Sequence, residues 1–189
     1  MTRRALDKYR TPDWMTRALM ETYPEIAGEC LIDPCAGDGR MARMLSVRFA
    51  HAATNDIDAV ESTDTHADAT KGEYWDSLNG LMSRCIYRQR DLWLVTNPPF
   101  KLASKIAWHA VQRIGKIALL LRATWLEPTR DRLWLGKCPP DGMLVMPRPS
   151  FTGGGSDSVT CNWMLWGVRD RGIKVYVTTP GQLSLADVA

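Results

Sequence analysis

The stretch CLIDPCAGDGRMARML, from Cys30 to Leu45, sets the tightest limit on what this chain can fold into. A short apolar run ends at Asp33 and breaks into a glycine-rich turn. The pattern then resumes with Met41, Met44, Leu45 and Phe49 at helical spacing. Strand, glycine turn and helix in that order open an α/β unit whose strand joins a mainly parallel sheet. Further apolar runs predict strands over Cys30–Asp33, Ala52–Asp56, Leu92–Thr96 and Ile117–Arg122, with a weak strand ending near Asp68. Helices are expected from about Arg40 to Ala50 and from Leu102 to Arg113. Beyond Ile117 the pattern changes. GMLVMPRPSF and CNWMLWGVRD read as two strands joined by the loop TGGGSDSVT, a hairpin-like pair closing an otherwise parallel sheet. IKVYVTT reads as a further edge strand and PGQLSLADVA as a tail.

The 189 residues give room for one domain with a large core. No apolar run has the length of a membrane span, and MTRRALDKYR lacks the apolar segment of a signal peptide. The expectation is a cytoplasmic protein. Five scattered cysteines with no Cys-x-x-Cys point to free thiols, and three distant histidines give no reason to expect a metal. Net charge is only +3, yet 17 of the 24 cationic residues are arginines. They cluster at Arg3-Arg4, at Arg84-Arg88-Arg90 and at Arg130-Arg132. Arginine suits bidentate phosphate contacts, so the balance tilts toward a polyanionic partner.

Gly37, Gly39 and Ala42 fit the G-x-G-x-x-A spacing shared by several nucleotide folds. Two carboxylates separate the options. Asp33, just before the turn, would repel a phosphate but suit an ammonium. Asp56, 17 residues past Gly39, lies where a carboxylate can grip a ribose diol. A ligand with an ammonium and a ribose but no phosphate is S-adenosylmethionine. The structural alternative is a capping aspartate beside an ordinary glycine turn.

A second site stands at LWLVTNPPF, where an apolar strand ends in Asn97, Pro98, Pro99 and Phe100. Two prolines lock two φ angles and make a rigid tip. The Asn97 side-chain oxygen and the Pro98 carbonyl can accept both N–H bonds of an exocyclic amine and free its lone pair for attack. Phe100 can stack on a base that has left its helix.

With these residues in view, the chain resembles the amino-methylating DNA methyltransferases, and within them the small N6-adenine type of phages and prophages. TNPPF matches the catalytic tetrad of that family, and DPCAGDG is similar to its glycine loop, through Asp33, Pro34, Gly37 and Gly39. YRTPDWMTRALM resembles the N-terminal cofactor segment, around Tyr9, Thr11 and Pro12. NDID resembles the segment with the ribose-binding acid, at Asp56, and HADATKGEYW the one whose acid meets the cofactor adenine, at Asp68. LLLRATWLEPTRDR and PRPSFTGGGSDSVTCNWMLW resemble the later strands and a loop near the target base. The motif order is like the gamma arrangement. The resemblance implies a Rossmann-like α/β fold, a mainly parallel seven-stranded sheet with an antiparallel C-terminal strand. It also implies a single catalytic domain over residues 1–189, S-adenosylmethionine as cofactor, DNA with a flipped adenine as substrate, and a monomer or weak homodimer. Members of that order often carry a separate target-recognition domain; only 89 residues follow Phe100, and the sheet uses most of them.

Rival readings differ in named residues. N4-cytosine methylation uses similar chemistry, and a serine in place of Asn97 would favour it. A protein-glutamine methyltransferase commonly has tyrosine where Phe100 stands, and RNA adenine is a further substrate. A C5-cytosine enzyme needs a nucleophilic cysteine; Cys35 follows a proline but sits inside the glycine turn and reads as a small packing residue. A non-catalytic nucleic-acid-binding domain of the same type predicts damage at Asp33, Asn97 or the glycines, all of which are intact. An NAD dehydrogenase predicts a third phosphate-facing glycine. Trp163 and Trp166 are expected to pack in the sheet, and core or rim packing is expected for Trp14, Trp75 and Trp108.

Overall fold

A computed structural model describes residues 9–81, 92–127, 129–149 and 160–176. The Thr152–Val159 part of the glycine loop, the tail and the arginine clusters at 3–4 and 84–90 lie outside the described residues.

Seven strands form one sheet: β1 (Gly28–Asp33), β2 (Phe49–Thr54), β3 (Leu92–Thr96), β4 (Ile117–Arg122), β5 (Gly142–Val145), β6 (Cys161–Trp166) and β7 (Gly172–Val175). Their order across the sheet is β2-β1-β3-β4-β6-β5-β7. The pairs β1–β2, β1–β3, β3–β4 and β5–β7 are parallel, whereas β6 runs antiparallel to both β4 and β5. The chain leaves β1 toward β2, then returns across β1 to start β3 on its other side. The reversal opens a crevice at the carboxyl ends of β1 and β3, the place where open α/β sheets bind ligands.

Burial explains the strand sequences. Central β4 (IALLLR) and β6 (CNWMLW) are buried on both faces, which demands near-continuous apolar runs. The outermost strands β2 and β7 are largely exposed. Alternate residues serve opposite faces. Leu31, Trp93, Val95, Leu120, Trp163 and Leu165 pack with α1 (Asp13–Thr22) and α2 (Arg40–Leu45). Ile32, Leu94, Leu119, Leu121, Met164 and Trp166 pack with α3 (Gly72–Ser77) and α4 (Ala103–Val111). Helix α1 turns Met15, Ala18 and Leu19 inward at helical spacing, and the Trp163 indole N–H donates to the Met15 carbonyl at 3.0 Å. Trp75 is fully buried, Trp14 is partly buried against the core, and Trp108 is exposed.

Three sequence expectations need correction. The helix after the glycine turn ends at Leu45, not near Ala50, and a single 3-10 turn (Ser46–Arg48) follows. The Ser46 hydroxyl takes the Arg43 carbonyl, offering the backbone an exit from the helix. Phe49 still reaches the core, but as the first residue of β2. For that reason β2 begins three residues before the expected Ala52. Finally, the stretch ending at Asp68 is not a strand; one isolated bridge, Asn55 to Thr65, is its sheet contact. Asp68 folds a local turn instead, its carboxylate accepting the Thr70 N–H and hydroxyl. No helix among the described residues is long and apolar enough to cross a membrane.

Candidate active site

Asp33 ends β1 with its side chain fully buried. Its Oδ1 accepts the Cys35 N–H at 3.2 Å, while among the described residues no well-formed hydrogen bond reaches Oδ2, the Thr96 hydroxyl being near the carboxylate. Burial is the main force pushing its pKa up to about 7, and repulsion from Asp56 adds to it; the nearby Thr96 hydroxyl and the Cys35 N–H pull the other way. Burial first, and then Asp33 and Asp56, push the Cys35 thiol well up, which favours its protonated form. Beyond it the turn needs glycine. Gly37 and Gly39 have φ of 54° and 70°, and a Cβ on Gly37 would meet nothing within 4 Å. The space over the turn is open.

Asp56 follows β2 and closes the turn from the side. Its Oδ2 accepts the Gly37 N–H and its Oδ1 the Asp58 N–H, both at 2.9 Å. Asn55, buried beside it, was not singled out from sequence. Its amide N–H groups reach the Pro34 carbonyl (3.0 Å) and the Ala67 carbonyl (2.9 Å). Its oxygen accepts the Thr65 hydroxyl and the Ala67 N–H, each at 2.8 Å. Asn55 thus ties the glycine turn to the segment that presents Asp68. The two bonds from Thr70, hydroxyl first, hold the Asp68 carboxyl below the usual range. Pro34 contributes this carbonyl contact, and the Pro12 carbonyl accepts the Met15 N–H at the start of α1.

The proline tip lies next to Asp33. Parallel pairing of Ile32 with Leu94 sets Asp33 beside Val95, two residues before Asn97. The Asn97 amide nitrogen donates to the Tyr9 carbonyl at 2.9 Å and to the Thr11 hydroxyl at 3.0 Å. A carbonyl can only accept, so the nitrogen must face the N-terminal segment and Oδ1 must face away from it. The Pro99 carbonyl is taken by the Leu102 N–H at 2.8 Å. No described hydrogen bond ends on Asn97 Oδ1 or on the Pro98 carbonyl. Phe100 stacks with Tyr9 (centroids 5.4 Å apart, planes at 25°), and the Arg122 guanidinium sits 4.8 Å from its ring centre.

The structure therefore brings Asp33, Gly37, Gly39 and Asp56 into one corner, and Asn97, Pro98 and Phe100 into the next. Tyr9 and Thr11, read from sequence as cofactor residues, make their described contacts with Asn97 and Phe100. Arg122 was missed; its place at the carboxyl end of β4, facing the same crevice edge, was the available signal.

Sheet order, mixed strand direction and crevice position together define the Rossmann-like fold of S-adenosylmethionine-dependent methyltransferases, with a mostly parallel sheet and an antiparallel C-terminal part. No protein-family model matches the sequence, and no curated protein matches it either. The likeness is one of shape. A type I restriction-modification methyltransferase subunit from Streptococcus thermophilus superposes with a TM-score of 0.60 at 11% identity, over 89% of this chain and 46% of its own. A dimethyladenosine transferase from Plasmodium falciparum gives 0.52 at 13% identity, over 84% of this chain and 62% of its own. The 23S rRNA methyltransferase ErmE gives 0.50 at 14% identity, over 86% and 70%. The chain spans about half the length of the restriction-modification subunit.

Proposed function

We propose that this chain transfers a methyl group from S-adenosylmethionine to the exocyclic N6 amine of adenine in DNA. One observation carries the reading. The N-terminal segment clamps the Asn97 amide by its nitrogen and, among the described residues, leaves both its oxygen and the Pro98 carbonyl as unclaimed acceptors. Two rigid acceptors at a strand end suit an amine with two N–H donors.

The cofactor corner fits the ligand on grounds of its own. A buried carboxylate oxygen without a partner is costly unless a donor arrives, and among the described residues Asp33 Oδ2 is in that position. It would receive the ammonium, the space over Gly37 would admit the ligand, and Asp56 would hold the ribose. When bound, S-adenosylmethionine supplies a methyl carbon on a sulfonium, electrophilic without further activation. Asn97 Oδ1 and the Pro98 carbonyl accept from the adenine amine and localise its lone pair on nitrogen. On taking that methyl group the amine nitrogen would become cationic, the S–C electron pair staying on sulfur. It returns to neutrality by losing a proton along one of these hydrogen bonds to water. Phe100 receives the base face, in the place that the Tyr9 ring holds in this structure.

The direct test is transfer of labelled methyl from S-adenosylmethionine to mixed-sequence DNA, RNA and protein, followed by digestion and chromatography. N6-methyladenine in DNA is the expected product. N4-methylcytosine would keep the site and change the base, and label in RNA or in glutamine would change the substrate class. Transfer that is as fast in Asn97→Ala as in the wild type would overturn the assignment of the site.

A further inference from the structure

The outer face of α4 is apolar and cationic at once. Lys105, Trp108 and Gln112 succeed one another at i, i+3 and i+7, and all are exposed. Leu102, at the start of the helix, is 40% exposed and Trp108 is 43% exposed. Beside them the 3-10 helix Arg130–Gly136 carries Leu133, 69% exposed. It also seats Trp134 against Trp108, with ring centroids 5.6 Å apart. Trp134 in turn rests on buried Trp125 at 6.1 Å, and the Arg132 guanidinium lies 5.6 Å from the Trp125 ring. A row of three indoles thus runs from the core to the surface and ends at Trp108. Such backing holds an exposed ring in place, which lowers the cost of ordering it on a ligand.

The charged residues of α4, the 3-10 helix and their flanks are mostly of one sign. Lys101, Lys105, Arg130 and Lys137 are exposed in these elements or beside their ends, while the sequence from 127 to 137 holds two acids, Glu127 and Asp131. A second copy of the chain docking face to face would bring these cations together, which is unfavourable for a self-complementary interface. A nucleic-acid strand meets them with phosphates, and meets the indole with the face of a base. The location agrees, because Lys101 directly follows Phe100 and α4 begins at Ala103.

We infer that the Trp108 face of α4 is a docking surface for a nucleic-acid strand, with a base stacked on Trp108 and phosphates held by Lys101 and Lys105. This rests on the nucleic-acid reading above and adds to it the place where the strand beside the target base lies. The test is fluorescence anisotropy with a labelled mixed-sequence oligodeoxynucleotide, single-stranded and duplex, across a salt series. The proteins are the wild type, Trp108→Ala and the double variant Lys101→Gln/Lys105→Gln, with methyl transfer measured on each. Trp108→Ala should weaken binding about tenfold. The double variant, at two exposed positions that carry the test even if Trp108→Ala folds poorly, should lower the magnitude of the salt slope by about two. Wild-type affinity and slope in both variants, while the wild-type protein methylates DNA, would overturn the surface and leave the activity standing. A wild-type protein that neither binds nor methylates nucleic acid would overturn both. Concentration-dependent self-association that disappears in the variants would assign the face to a second copy and overturn the nucleic-acid occupant.

Discussion

The Asn97 side chain donates to the Thr11 hydroxyl at 3.0 Å across 86 residues of sequence. With the Tyr9 carbonyl on the same nitrogen, this bond decides which end of the amide faces the crevice. An unclamped amide could rotate and present donors where acceptors are needed. Thr11, placed with the cofactor by the sequence reading, holds the Asn97 amide in this structure.

Removing the clamp and removing the acceptor should be separable. Asn97→Ala should lower kcat by about a hundredfold or more and leave cofactor affinity nearly intact. Thr11→Val keeps the shape and loses one acceptor; kcat should fall about tenfold with cofactor Kd unchanged, and Thr11→Ser should restore it. A Thr11→Val protein that instead loses cofactor binding at full kcat would return Thr11 to the cofactor site. Steady-state kinetics and calorimetric titration with S-adenosylmethionine distinguish the two.

Asp33 should make the free protein weaker as pH rises. Its folded-state pKa of about 7 lies above the ordinary value of 3.8. Between those values the folded chain holds a proton that the unfolded chain has lost, so stability falls from about pH 4 to pH 7 and then levels off. The full penalty is of order 4 kcal/mol. Asp33→Asn lacks it, so its advantage over wild type in urea unfolding should grow by about 3 kcal/mol between pH 5 and pH 8. The same variant should bind S-adenosylmethionine poorly, because an ammonium prefers the ionised carboxylate. An advantage that stays constant with pH would show that Asp33 does not titrate in this range.

Asn55 should be costly to replace although it is expected to touch no substrate. Asn55→Ala strips four hydrogen bonds from a buried junction and leaves the Pro34 carbonyl without its Asn55 donor. A loss of about 2–4 kcal/mol in unfolding free energy is expected. Asn55→Asp should also destabilise, since it sets carboxylate oxygen against two carbonyls. If Asn55→Ala unfolds at the wild-type urea midpoint, the junction is not holding the turn.

Gly167 should tolerate no side chain. Its φ is 72°, and a Cβ there would lie 1.9 Å from the Gly115 carbonyl oxygen, where the end of β6 meets the start of β4. Neither side is a flexible tip that can yield. Gly167→Ala should cost about 3 kcal/mol or more, a fall in Tm of roughly 10 °C. An unchanged melting curve would mean that the two backbones are not in contact.

The sequence by itself determined the sheet class and the central strands, and it singled out the residues of the candidate site. β3 and β4 fell on Leu92–Thr96 and Ile117–Arg122 because strands buried on both faces must be apolar throughout, a signal that needs no partner to be read. Edge strand β2 was misplaced because FAHAAT carries little of that signal, and its register comes from pairing with β1. Asp68 looked like the end of a strand because its Asx turn competes with sheet over only three residues. Glycine spacing, Asp33 and the Asn-Pro-Pro-Phe tip were visible because rigid or special backbone demands particular residue types. What only the tertiary structure decided is which side chains orient those groups. The Asn97 clamp from Tyr9 and Thr11, the Asn55 junction and Arg122 over Phe100 all join residues far apart in the chain. Hydrogen-bond and ring-stacking geometry across such distances is set by how the sheet and its N-terminal segment pack, and local sequence pattern does not encode it.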